Sequence, residues 1–172
     1  MTGSKHMGTN QYLAFKLDQE IYALDIEQVR EVLDFTKVTK IPQMPEFMRG
    51  VINLRGGVIP VVDLRFKFNM SATEKTLDTC IIIIEITIDQ EVKILGVLAD
   101  SVQEVMNLDS DQIEPPPSIG TRLDTKFIKG MGKKNDDFII ILDINRVFSS
   151  DDLTTVHGMA ETENTAAAMA TV

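Results

Sequence analysis

The sequence predicts an all-β fold with short helices, built as two packed copies of one small five-stranded barrel. Three observations predict it. Short β-branched runs recur at close spacing and are bounded by Gly, Pro, Asn and Asp turn signals. No apolar run approaches the ~20 residues that span a bilayer. The third is an internal pseudo-repeat. Asp18-Gln19-Glu20 returns at Asp89 to Glu91, and Val29-x-Glu31-Val32-Leu33 returns as Val102-x-Glu104-Val105-Met106. Phe47-Met48-Arg49-Gly50 returns as Phe127-Ile128-Lys129-Gly130, and VIPVVDLRFKF from Val58 matches FIIILDINRVF from Phe138. These matches keep their order, which chance similarity between short β patterns does not explain. Close strand spacing suits a small barrel better than an open sheet.

Residues 1–9 are polar and aperiodic, and GSKHM resembles an expression-vector remnant, so they stand outside the fold. Gln11 to Leu17 alternates, with Tyr12 and Ala14 on one face and Leu13, Phe15 and Leu17 on the other, as a half-buried strand does. After the turn at Asp18, Ile21 to Leu24 returns as its partner. Asp25 reads as an N-cap, with Gln28 completing a capping box. Ile26, Val29, Val32 and Leu33 then fit one face of a short amphipathic helix, with Glu31 on another side. Val38 to Ile41 is extended, and Pro42 and Pro45 bracket a turn.

Gly50 to Arg65, GVINLRGGVIPVVDLR, organises the first copy. Two apolar runs flank Asn53 to Gly57, and the Gly pair allows a tight turn that presents Arg55 at a hairpin tip. Pro60 predicts a sheet edge or a bulge. Asp63 caps a single helical turn through Phe68, and the polar stretch to Asp78 reads as a linker. Cys80 to Ile88 is continuous and β-branched, a buried strand that turns at Asp89 into Val92 to Leu98. Asp100 to Met106 carries apolar Val102, Val105 and Met106. Pro115 to Pro117 starts a stiff loop. Phe127 to Met131 and Phe138 to Leu142 are the last strands, followed by a helical turn through Phe148. One unit thus spans 10–150, with subdomains of roughly 10–78 and 79–150, strand exchange between them left open, and a flexible tail over 151–172.

The net charge of −9 disfavours a nucleic-acid binder, which needs a basic face. Residues 1–78 hold ten basic and ten acidic side chains; residues 79–172 hold seven and sixteen, so the two halves differ in surface. The single cysteine, Cys80, makes no internal disulfide, and no secretory signal pattern opens the chain, so a reducing, cytoplasmic setting without membrane insertion is expected. His6 and His157 lie in the tails. No zinc spacing, nucleophile–base set, GxGxxG or Walker-type loop is found, so no enzymatic activity and no cofactor or metal is expected. Two apolar stripes, Ile26/Val29/Val32 and Val102/Val105, instead predict a groove at the seam between the copies, able to take a partner helix. Glu31 and Arg55 stand beside it, either as an exposed ion pair or as a partly desolvated bidentate one. Asn53-Leu54-Arg55-Gly56 has no counterpart in the second copy.

The N-L-R-G stretch, preceded by YALDIEQVREVL and followed by LGVLADSVQEV, resembles the CheW-type chemotaxis coupling proteins from about Gln11 to Ser150. That resemblance implies two SH3-like barrels and an adaptor role. The implied partners are the cytoplasmic helical hairpin of a methyl-accepting chemoreceptor and the regulatory domain of the CheA histidine kinase. It implies receptor contacts at Leu13, Ile26, Val29, Glu31, Val32, Arg55 and Val102. It implies kinase contacts at Cys80 and Ile81 and along the loop with Glu114, Pro116, Ser118 and Ile119. A kinase regulatory domain, or the coupling half of a receiver-containing adaptor, shares the same fold and stays open as an alternative.

Overall fold

The computed structural model describes residues 9–68, 70, 76–116, 125–134 and 136–148. Among the described residues eleven strands are formed: β1 (Thr9–Leu17), β2 (Glu20–Asp25), β3 (Val29–Asp34), β4 (Met48–Leu54), β5 (Gly57–Val62), β6 (Cys80–Ile88), β7 (Glu91–Ala99), β8 (Ser101–Asp109), β9 (Ile113–Glu114), β10 (Ile128–Lys134) and β11 (Asp137–Leu142). Helical turns at Leu64–Lys67 and Ile144–Val147 follow β5 and β11.

The strands form two curled, mixed sheets, the two SH3-like barrels, ordered β8-β1-β2-β11-β10-β9 and β3-β6-β7-β5-β4. Replacing each strand of one copy by its repeat mate turns β8-β1-β2-β11-β10 into β3-β6-β7-β5-β4. The molecule is therefore pseudo-two-fold, and the barrels do not follow the halves of the chain. Each first hairpin, β1–β2 or β6–β7, completes the barrel of the other copy. A division at residue 78 separates neither sheet.

Matching contacts mark the dyad. The amide of Asp63 donates to the Phe47 carbonyl at 2.7 Å, and that of Asp143 to the Phe127 carbonyl at 2.8 Å. The Phe68 and Phe127 rings lie 6.1 Å apart, as do those of Phe148 and Phe47. In each ring pair the partners come from different copies, which fastens the copies together at both ends.

Strand β1 is buried on both faces, not half-buried. Tyr12 and Ala14 face the core of one barrel, with Met106, Leu108, Ile139 and Ile141. Leu13, Phe15 and Leu17 face a larger central core shared with β6, β7 and both helical turns. The other barrel keeps a smaller core around Ile52, Val61, Ile81, Ile83 and Leu98. Strand β5 is interior, paired with β4 and β7, so the edge expected for Pro60 is corrected. Val51 exchanges both backbone bonds with Thr39, at 2.8 and 2.9 Å, so its neighbour Pro60 is asked for no donor by β4. Pairing with β7 begins only at Val61.

Candidate functional site

The expected helix over Ile26–Leu33 is a correction. Only Ile26–Gln28 is helical, a 3-10 turn capped by the Asp25 carboxylate, which accepts from the Glu27 amide at 3.0 Å. Val29–Asp34 is strand β3, drawn onto β6, whose apolar length needs a partner on that edge. Val29, Glu31 and Leu33 are half-buried, whereas Val32 is 42% exposed. A bulge between Val29 and Glu31 keeps Val29 and Val32 on one face, paired with Ile84 and Ile82 of the central core, with Val32 at the exposed end of the stripe. Ile26, Val29 and Val102 are each half-buried and pack on the central core that holds Leu13. Val105, paired with Leu13 across β1–β8, is exposed in the same way as Val32.

Arg55 sits where the sequence predicts, at the tip of the β4–β5 hairpin. Arg55 and Gly56 form the two-residue turn with φ of 51° and 87°, the positive pair of a type I′ turn. Asn53 shapes it, its Oδ1 accepting from the Gly56 amide at 2.9 Å. Arg55 grips Glu31 through both guanidinium nitrogens, Nη1 to Oε1 at 3.4 Å and Nη2 to Oε2 more closely. The hydrogen bond from Arg55 holds the Glu31 carboxyl below its ordinary range; desolvation opposes it, and the charges of Arg55 and Arg30 add to the lowering. The same bond pushes the Arg55 guanidinium up. The pair is bidentate yet largely in solvent, with Arg55 70% and Glu31 30% exposed. Screening by water leaves it little weight in folding.

The second copy lacks the N-L-R-G letters but not the ion pair. Lys134 Nζ stands 2.6 Å from Glu104 Oε1, with the lysine at the end of β10 beside the hairpin tip and the glutamate on β8. Asn53 to Gly56 still has no counterpart there: Lys134 stands at the repeat position of Leu54, at the end of β10, so the second ion pair comes from a different position of the repeat, which sequence matching does not reveal.

The residues implied for the kinase fall differently. Cys80 is buried in the central core and Ile81, fully buried, in a barrel core. Strand β6 is paired on both edges, with β3 and β7. A partner there meets the surroundings of these side chains rather than the side chains themselves. Burial also pushes the Cys80 thiol up. Glu114 is exposed and pairs with Lys133 at 2.8 Å, and Pro116 is half-buried. Ser118 and Ile119 lie outside the described residues.

Among the described residues no three His, Cys, Asp or Glu side chains converge as metal ligands do. No helix among the described residues is long and apolar enough to cross a membrane. What the molecule offers is a pair of SH3-like barrels with an apolar seam and charged hairpin tips, the surface of a protein-docking scaffold. The CheW-like domain family matches residues 11–152, and the chain belongs to that family. It is 32% identical over 151 residues to the chemotaxis protein CheW of Klebsiella aerogenes, covering 88% of this chain and 89% of that protein. It is 34% identical over 140 residues to the chemotaxis protein CheW of Bacillus subtilis, covering 81% and 86%. Among solved structures, the scaffolding protein TtCheW from Thermoanaerobacter tengcongensis superposes with a TM-score of 0.73 at 40% identity, covering 83% of this chain and 90% of that one. The chain is a chemotaxis coupling scaffold.

Proposed function

We propose that the chain joins two proteins without catalysing a reaction. One is the cytoplasmic helical hairpin of a methyl-accepting chemoreceptor, docked on the seam face at Leu13, Ile26, Val29, Val32 and Val102 with Glu31 and Arg55 at its rim. The other is the regulatory domain of the CheA histidine kinase, itself a double barrel, docked around β6 and along the loop that holds Glu114, Pro116, Ser118 and Ile119. On this reading the protein works in the cytoplasm and reaches the membrane only through its partners.

The observation that carries it is the packing of half-buried Ile26, Val29 and Val102 on one central core, together with an exposed Arg55–Glu31 pair on β3 and the β4–β5 hairpin. An apolar strip with a charged rim suits an amphipathic helix. Titration against a soluble receptor hairpin and against the isolated kinase regulatory domain tests it. Saturable binding to both is expected. Val29→Glu weakens receptor binding at least tenfold in a variant whose melt shows it folded, since a charge enters the strip. Binding to neither partner rejects the proposal.

A further inference from the structure

The two helical turns occupy one position of the repeat, yet they are held unequally. Leu64–Lys67 follows β5 of one barrel and meets the β1–β2 hairpin of the other. Ile144–Val147 follows β11 and meets the β6–β7 hairpin in the same way. Arg65 makes the first bridge. Its side chain is 12% exposed and stands 3.4 Å from Asp18 in the β1–β2 turn and 3.4 Å from Asp100 between β7 and β8. Asp100 closes the clamp: it accepts from the Asp18 amide at 2.7 Å, and its own amide donates to the Lys16 carbonyl at 2.9 Å. Pulling one partner out of a largely desolvated cluster leaves charge uncompensated, so the cluster resists opening. The repeat mate of Arg65 is Asn145, which is exposed and accepts from the Thr87 amide of β6 at 3.4 Å.

Rings and caps differ in the same sense. Phe15, Tyr22, Phe68 and Phe127 stand in a row with centroids 6.0, 5.9 and 6.1 Å apart. On the mirror side the mates of Phe15 and Tyr22 are Ile86 and Lys93, a cross-strand pair like their own, and the Lys93 amine turns to Glu91 at 2.8 Å. A lysine lies over the outer ring of each inter-copy pair, Lys67 4.8 Å from Phe47 and Lys126 5.2 Å from Phe127, so this contact does not separate the two ends. Asp63 caps the first turn, and Asp143 makes no side-chain cap on the second.

We propose that the second helical turn, Asp143 to Phe148, is a releasable strap, and that the first, clamped by Arg65, is a fixed one. In the opening Ile144, Val147 and Phe148 leave the central core together, while the strands stay paired. The Phe47 ring loses its partner, and the copies stay fastened at the Phe68–Phe127 end. The strap lies on the same core that carries Ile26, Val29 and Val102. A fold that is symmetric in its strands thus yields at one end and holds at the other.

Native-state hydrogen exchange of the full chain, followed by NMR, tests this at a matched pair of amides. Phe66 donates to the Asp63 carbonyl at 3.2 Å, and its repeat mate Arg146 donates to the Asp143 carbonyl at 2.9 Å, so bond length alone favours Arg146. The opposite order is expected, with the protection factor of Arg146 about thirtyfold or more below that of Phe66. Exchange at Arg146 should not respond to low urea, since a local opening exposes little surface. Exchange at Phe66 should rise with urea in step with the slowest amides of β6 and β7, which report global opening. Arg65→Asn gives the first turn its mate's residue and should drop Phe66 about tenfold or more below those reference amides. Equal protection at Phe66 and Arg146, or one urea slope for both, would overturn the strap, and this parental measurement decides it even where the variant does not fold. A Phe66 amide that keeps pace with β6 and β7 in a folded Arg65→Asn would overturn the clamp that the proposal names as the cause.

Discussion

At the scale of single residues, Arg55 is a hairpin-tip side chain with little weight in the fold. Its ion pair with Glu31 is mostly solvated. Arg55→Ala should therefore move the melting temperature by no more than a few degrees, as measured by circular dichroism, while receptor affinity falls. The sign of the pH dependence follows from Glu31, whose carboxyl is held low in the folded chain. Its contribution is complete above the ordinary carboxylate range and is lost as the pH falls through and below that range. A carboxyl titration by NMR should find Glu31 low in the parent and returned toward ordinary values in Arg55→Ala. Asp63 is the opposite case. It is fully buried, caps Leu64–Lys67 through the Arg65 amide at 3.1 Å, and meets Arg49 Nη1 at 3.2 Å. Its repeat mate Asp143 is half-buried and makes no side-chain cap. Asp63→Ala should cost about 2 kcal/mol in urea unfolding and Asp143→Ala under about 0.5 kcal/mol, although the two residues occupy one position of the repeat.

At the scale of elements, the hairpins depend on two glycines for different reasons. Gly50 has φ of 145°, and an added Cβ would sit 2.2 Å from the Thr39 carbonyl oxygen. Gly56 has φ of 87° with nothing within 4 Å of that position. Gly50→Ala should cost about 3 kcal/mol or more, because backbone must move, and Gly56→Ala about 1 kcal/mol from turn strain alone. Chemical unfolding of the two variants separates them. This contrast also shows what was legible. Period-two alternation assigned both faces of β1 correctly, and turn chemistry placed Arg55 at a tip. The same pattern misled at Ile26–Leu33, because eight residues satisfy a helical stripe and a strand almost equally well. The choice was made by β6, a distant segment that no local window contains. The burial of Cys80 and Ile81 was legible in principle, since an unbroken apolar run signals a strand covered on both faces.

At the scale of the whole molecule, the hairpin exchange ties each barrel to both halves of the chain. No run of residues on either side of position 78 holds a complete sheet. This part of the fold was not legible, because local patterns define a hairpin but not the barrel that receives it. Unfolding should be a single transition, with calorimetric and van't Hoff enthalpies in agreement. Fragments 1–78 and 79–172 should be unfolded apart and regain strand signal when mixed. Cys80, buried where the copies meet, should react with thiol reagents only as fast as the molecule opens globally. Two separate melting steps, or rapid labelling of the native protein, would contradict this coupling.

The traded hairpins also have a symmetric counterpart. Two identical short chains that swapped their leading arms would produce the same pair of sheets as a symmetric dimer, and tandem fusion of their genes would preserve every strand pairing. In a single chain the twins need not match: one hairpin tip holds an arginine, while the other hairpin follows two lysines, so the two ends of the molecule differ in their cations.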